Sequence, residues 1–585
     1  MPRRLLIASA IVVMLAGVGG PSAQQGRYRT LDDTFPPPAQ RSLDEWKVRA
    51  AYLREHILAT AGLLPLPEKN ALNPVVFGDV PHQDYIVSKV YFESLPGFLV
   101  TGNLYRPIGN GPFPAILSPH GHWAYGRLEN SEHASIPGRA INLARQGFVV
   151  FTYDMIGYND SRQLPHTFGG DREKLWGLSL AGLQLWNSIR ALDFLQTLSY
   201  VKRDAIGVTG ASGGGTQTFL LAAADDRVAV AAPVNMISLH MQGGCLCENQ
   251  PGLRLDTTNV EIASTIAPRP LLMVSATGDW TKNTLELEYP AVRRTYLLFD
   301  APDRVNGVRF DAPHNYNRES REAVYAWMAR WLQGAPADVR RAERNFTPDP
   351  LPDALVFHNR PLPAGAVTPE QLTENWIAAA KAQLSAANRQ TVQRALLHAL
   401  EYADDTAKPV EKTRARGPRT VLLASPDAEL EALLKRDRLA VRAVTFTPFD
   451  AEAAAQIRLF DSYNRTAASQ RVADIVAAAR AHPGAVLVAQ GDAALSGLLA
   501  AAVAPIDLAV LDVGAFDPTN DADFVQKLFI PGLRRAGDLQ TATGMAAGRL
   551  VVHNAGERFT LPGVKAGRTK LTAREIVGLI KSRAR

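Results

Sequence analysis

The pentapeptide Gly210-Ala211-Ser212-Gly213-Gly214 constrains this chain more than any other stretch. It follows the run Ile206-Gly207-Val208-Thr209 and precedes an apolar, helix-like run from Thr216 to Ala224. A strand that feeds straight into a helix through a tight, glycine-lined turn belongs to a βαβ unit, and so to a mostly parallel sheet flanked by helices. The neighbouring sequence agrees. Ala115 to Ser118, Phe148 to Tyr153, Val228 to Val234 and Leu271 to Ser275 read as short buried strands. They alternate with helical runs over Ala140 to Gln146 and Leu183 to Leu198. Upstream, Trp46, Ala50, Leu53 and Ile57 recur at helical spacing within residues 42–63, and Tyr85 to Leu104 is β-rich.

Small residues around Ser212 permit a sharp turn that lifts its hydroxyl clear of the sheet, and the following helix aims backbone N–H groups at developing negative charge. A hydroxyl nucleophile needs a base, and an acid to orient that base. On such an elbow the acid precedes the base in the chain. Between Ser212 and residue 335 the histidines are His240 and His314. His240 precedes the strand Leu271 to Ser275 and any acid beyond it, which leaves His314, on a loop before the helical run Ser320 to Leu332. Asp279, four residues past Ser275, has the strand-end placement of the orienting acid. Glu286, Glu288, Asp300, Asp303 and Asp311 do not. The expected oxyanion donors are the backbone N–H of Gly213 and, from the turn Ser118-Pro119-His120-Gly121-His122-Trp123, that of His122, with Gly121 next in line. A competing reading takes His120 and His122 with His133 as zinc ligands. No acidic cluster accompanies them, and the serine set already accounts for the turn, so no metal is expected.

His120-Gly121-His122, Tyr153-Asp154-Met155-Ile156-Gly157, Gly210 to Gly214, Gly278-Asp279 and His314 together resemble the α/β-hydrolases. Within that superfamily the similarity is to the branch of acetylxylan esterases and dienelactone hydrolases, over about residues 42–335. The resemblance implies carboxylic-ester hydrolysis through an acyl-enzyme, without metal or organic cofactor. Ser212 would attack, His314 relay the proton and Asp279 orient His314. Deacetylation of an acylated polysaccharide or oligosaccharide is the expected reaction. A glucuronoyl esterase, or a general carboxylesterase of the dienelactone hydrolase type, is the alternative. A prolyl-type serine peptidase would need room before residue 85 for a propeller, and a non-catalytic binding protein would not need the intact serine, acid and base.

Trp123 and Trp280 adjoin the oxyanion turn and the acid and are expected to line the substrate pocket, whereas Trp186 reads as core. Cys245 and Cys247, the chain's two cysteines, fall on a loop after the strand Val228 to Val234 and are expected to border the same pocket, with a purely structural small-residue loop as the alternative. Residues two apart rarely reach disulfide geometry, and two thiols alone make a poor zinc site.

Residues 1–23 read as a signal peptide: Arg3 and Arg4, an apolar run from Leu5 to Gly20, then Pro21-Ser22-Ala23. The run falls short of the roughly 20 residues of a spanning helix. An uncleaved anchor is the alternative, and the arginine pair leaves twin-arginine export open. The chain is therefore expected to be exported, periplasmic or extracellular, and off the membrane once cleaved. Its net charge of +6 over 585 residues is no nucleic-acid footprint. The expected organisation continues with a helical extension (24–84), the catalytic α/β-hydrolase domain (85–335) and a proline-rich linker (336–369). A second α/β unit (370–585) follows, with strands at Thr420 to Ala424, Ala440 to Phe446, Ala485 to Ala489, Asp507 to Val513 and Arg549 to His553. Its turn at Gly491-Asp492 parallels the Ser212 elbow, with Asp492 read at the nucleophile position and no histidine placed to serve it. It is expected to be a degenerate, non-catalytic repeat that shapes the cleft, binds substrate or mediates a homodimer.

Overall fold

The structure, a computed structural model, describes residues 27–34, 42–403, 420–546 and 548–582. The expected signal peptide lies outside the described residues. Among those described, no helix is long and apolar enough to cross a membrane.

Nine strands form the first sheet: β1 (Val75–Pro81), β2 (Tyr85–Leu95), β3 (Phe98–Pro107), β4 (Phe113–Leu117), β5 (Val149–Tyr153), β6 (Val201–Ala211), β7 (Val228–Val234), β8 (Leu271–Gly278) and β9 (Val305–Pro313). Their order is β1-β2-β3-β5-β4-β6-β7-β8-β9. The lead-in strands β1 to β3 run antiparallel up to β5, and from β5 to β9 every pairing is parallel. Side chains of a strand alternate between faces, so each strand feeds two cores. Ala115 and Leu117, Val149 and Phe151, Ile206 and Val208, and Leu271 and Met273 enter one cluster, with Phe219 of the helix Gly213–Ala224 and Trp186 of the helix Leu180–Thr197. Ile116, Val150, Leu272 and Val274 enter the other, with Ile141 of the helix Ile136–Arg145 and Met328 of the helix Arg318–Gln333. Burial on both faces explains why these strands read as unbroken apolar runs.

A second sheet contains β10 (Thr420–Leu423), β11 (Ala440–Ala443), β12 (Ala485–Gln490), β13 (Ile506–Asp512) and β14 (Arg549–His553). All its pairings are parallel, in the order β11-β10-β12-β13-β14. That is the relative order of β5-β4-β6-β7-β8 in the first sheet. The helix Leu43–Thr60, capped by the Ser42 hydroxyl accepting from the Glu45 N–H, joins the two units. Its Ile57 packs into the first core while Trp46, Ala50 and Leu53 pack into the second.

The sequence reading misses β1 and β9 and starts β6 late. All three segments are partly polar, because β1 and β9 edge the sheet and the first turn of β6 is exposed. The proline-rich stretch after residue 335 is no free tether. It lies along the first unit, with Glu343 paired to Arg321 at 2.6 Å and the backbone N–H groups of Val356 and Phe357 donating to Asp160 at 2.8 and 2.9 Å. The Ala354 carbonyl accepts from Arg127 at 3.1 Å.

Arg127 anchors this strap. Its side chain is fully buried between Asp154, at 2.5 Å, and Asp160, at 2.7 Å. Removing one partner of a buried ion pair strands the other charges, which costs about 3–5 kcal/mol. Arg127→Ala is expected to lower unfolding stability by that order in urea titrations. A loss below about 1 kcal/mol would show that the strap does not depend on this cluster.

Candidate active site

Ser212 sits between β6 and the helix Gly213–Ala224 with φ 57° and ψ −126°. Left-handed backbone is uncommon for a residue with a side chain, and it aims the serine away from both elements. The flanking glycines are needed for space as well. A Cβ on Gly210 would lie 2.5 Å from the Pro119 carbonyl oxygen, and one on Gly214 would lie 2.6 Å from it. The turn after β4 therefore packs directly on the elbow, and Gly121 comes close enough that a Cβ there would lie 2.9 Å from the Ser212 Cβ. Ser212 itself is half-buried.

Asp279 follows β8 and His314 follows β9, so both stand at the sheet edge where β6 delivers Ser212. His314 Nδ1 lies 2.7 Å from Asp279 Oδ2. The other Asp279 oxygen accepts from the backbone N–H of Thr281 at 2.7 Å and from its hydroxyl at 2.6 Å. A carboxylate fixed in this way fixes the imidazole. His314 Nε2 is buried and has no hydrogen-bond partner among the described residues, so the remaining ring nitrogen is left for a reacting group. Trp123 stacks near His314 with ring centroids 5.9 Å apart, and Trp280 approaches to 4.4 Å. Both tryptophans expected at the pocket thus frame the histidine, whereas Trp186 is wholly buried and donates to the Ser94 carbonyl. The rival acid Asp311 accepts from the Thr277 hydroxyl, and Glu286 pairs with Arg309.

His120 and His133 do not join His122 in a cluster. His120 Nδ1 lies 2.7 Å from the Gly121 carbonyl oxygen, and its Nε2 accepts from the Met155 N–H at 2.9 Å, so both nitrogens are engaged by backbone. Burial pushes its pKa down to about 3, so His120 is a neutral brace for the turn after β4. His122 instead turns its ring toward His166, Cys245 and Cys247. Its Nε2 lies 3.2 Å from the Cys247 Sγ, and the Cys245 Sγ lies 3.3 Å from His166 Nε2. Hydrogen bonding from Cys247, then from His122 and His166, holds the Cys245 thiol well below the usual thiol range, and burial pushes Cys247 up. His166 has no sequence signal. It stands alone in the loop after β5, and only the parallel order of β5, β4 and β6 brings that loop beside the cysteines.

In the second unit the residue with the elbow conformation is Gly491, at φ 59° and ψ −133°, nearly matching Ser212. Asp492, read from sequence at the nucleophile position, is the first residue of the following helix and lies 3.7 Å from Arg471. The sequence register was one residue late, because a glycine in that pose leaves no side chain to mark it.

No family model matches the chain. Over 245 residues, 38% of this chain and 80% of the other, it is 28% identical to a Bacillus subtilis (strain 168) protein described as "Putative hydrolase YtaP". Among solved structures, methylesterase BT1017 is 30% identical and aligns at a TM-score of 0.51, over 60% of this chain and 78% of its own. A glucuronoyl esterase of carbohydrate esterase family 15 from Caldicellulosiruptor kristjansonii aligns at a TM-score of 0.36 with 17% identity, over 56% of this chain and 97% of its own. With 30% identity across 78% of the methylesterase, on a sheet of this order, the chain belongs to the α/β-hydrolase superfamily, among its carboxylic-ester hydrolases.

Proposed function

We propose that the chain is an exported serine esterase of esterified carbohydrate, working through Ser212, His314 and Asp279. The observation that carries this reading is the Asp279–His314 hydrogen bond at 2.7 Å, set at the same sheet edge as a serine in left-handed backbone. In this mechanism Ser212 Oγ attacks the ester carbonyl while His314 Nε2 takes its proton. Asp279 stabilises the imidazolium that forms. The oxyanion is received by the backbone N–H groups of Gly213 and His122. The imidazolium then protonates the departing alcohol, and water, activated by the same histidine, releases the acid. Trp123 and Trp280 keep His314 dry and offer ring faces to a sugar. The unit after residue 370 does not catalyse, since Gly491 brings no hydroxyl to its elbow.

An acetylated polysaccharide or oligosaccharide is the first substrate reading. The methyl ester of a uronic acid is the second, favoured by the 30% identity to a methylesterase. The full-length enzyme should release acetate from acetylated xylan, or methanol from a methyl-esterified polyuronate, faster than it cleaves short aryl esters. Methanol release alone would move the assignment to the second reading. Activity on aryl esters alone would sink the carbohydrate assignment, and labelling of the exported fraction with an antibody would fail if the protein stays inside the cell.

A further inference from the structure

Four metal-binding side chains from three loops converge beside the Ser212 elbow. His122 follows β4, His166 follows β5, and Cys245 and Cys247 follow β7. Their ligand atoms all lie within 4.8 Å of one another. His122 Nε2 and His166 Nε2 are 3.2 Å apart, Cys247 Sγ and His122 Nε2 are 3.2 Å apart, and Cys245 Sγ and His166 Nε2 are 3.3 Å apart. A tetrahedral zinc ion with bonds of about 2.0–2.1 Å to nitrogen and about 2.3 Å to sulfur sets its ligand atoms about 3.3–3.8 Å apart. Three of the six edges, at 3.2, 3.2 and 3.3 Å, lie at or just below the short end of that range, and the others are within 4.8 Å.

The surroundings are also those of a ligand set. His166 Nδ1 lies 2.6 Å from the Ile156 carbonyl oxygen, so that nitrogen carries the proton and the Nε2 lone pair faces the cluster. The cysteine loop is held from behind. The Glu248 carboxylate accepts the N–H groups of Gly244 and Cys245, each at 2.9 Å. The Asn249 amide donates to the Gly243 and Cys245 carbonyls, and Arg254 grips Asn249. A loop fixed this firmly presents its two sulfurs without a further ordering cost.

We propose that His122, His166, Cys245 and Cys247 bind one zinc ion, which fastens the turn after β4 to the loops after β5 and β7. Two nitrogens and two sulfurs in tetrahedral array select zinc over oxygen-seeking cations. Four protein ligands close the coordination shell, so the ion positions rather than reacts. What it positions is the oxyanion turn. The His122 ring lies over Gly213, where an added Cβ would come within 2.8 Å of its Cε1. Tying His122 to the other loops therefore fixes the backbone on both sides of the expected oxyanion. Coordination also shields two thiols that an oxidising compartment would otherwise attack. Metal binding is read directly, so its failure and the failure of the esterase reading are separable.

The test uses the full-length chain purified without chelator. Plasma mass spectrometry should find one zinc per chain, and Cys245→Ser/Cys247→Ser should lower that at least tenfold. The wild-type protein, stripped by a chelator under reducing conditions, should take up one cobalt(II) per chain with the visible spectrum of a tetrahedral thiolate complex, which zinc then bleaches. Stripping should also slow fluorophosphonate labelling of Ser212 by about 10–100-fold, recovered on adding zinc back. Absence of stoichiometric metal together with no cobalt spectrum would overturn the proposal and leave a hydrogen-bonded thiol–imidazole cluster. Zinc retained by the folded double variant would equally overturn it, since the ion would then sit elsewhere.

Discussion

Ser212→Ala is expected to lower kcat by about 10⁴-fold or more while KM stays within a few-fold, because a member of a nucleophile–base–acid unit acts only in the transition state. Alanine keeps the Cβ at φ 57° and removes only the hydroxyl, so the elbow, the helix behind it and the packing of Gly210 and Gly214 should survive. Fluorophosphonate labelling should disappear together with ester hydrolysis, while circular dichroism and thermal unfolding remain those of the wild type. Equal labelling of both proteins would show that another residue is the nucleophile.

Asp279→Asn should lower kcat by about 10³–10⁴-fold, since an amide presents the wrong donor to His314 and loses the charge that stabilises the imidazolium. The asparagine can still receive the Thr281 N–H, which now approaches a carboxylate oxygen at 2.7 Å, so the loop should hold its shape. The informative comparison is Asp311→Asn. Asp311 is only three residues from His314 in the chain, yet its carboxylate is taken by Thr277 at 2.6 Å. Steady-state kinetics should therefore separate the two substitutions by at least 10²-fold, as expected when only one acid orients the base. Similar losses in both would mean that the orienting acid has been misassigned.

Much of this architecture is legible locally. A largely apolar run of five to seven residues bounded by turns marks β5, β7 or β12, because a strand buried on both faces has no polar side to interrupt it. The exposed β1, with two of its seven positions half-buried and the rest open, carries no such mark. β9 is similarly mixed, yet it carries His314 to its place beside β8. The order of Ser212, Asp279 and His314 follows from the chain alone, since few histidines compete and the acid needs a strand end.

The cysteine loop is the opposite case. Read along the chain, Cys245-Leu246-Cys247 is two thiols on a small-residue turn, and His122 is an oxyanion residue. Nothing in either stretch points to the other, or to His166.

The sequence by itself therefore determined the parallel α/β class, the serine elbow and the candidates for acid and base, because each depends on residue type within a few positions of a strand end. Only the tertiary structure decided that His122 and His166 face Cys245 and Cys247, that Arg127 binds the proline-rich strap, and that Gly491 holds the second elbow. The physical reason is the parallel sheet. It brings the ends of β4, β5 and β7 to one edge, and side chains separated by 44 or 125 residues meet there through the order of the strands, which spacing along the chain does not encode.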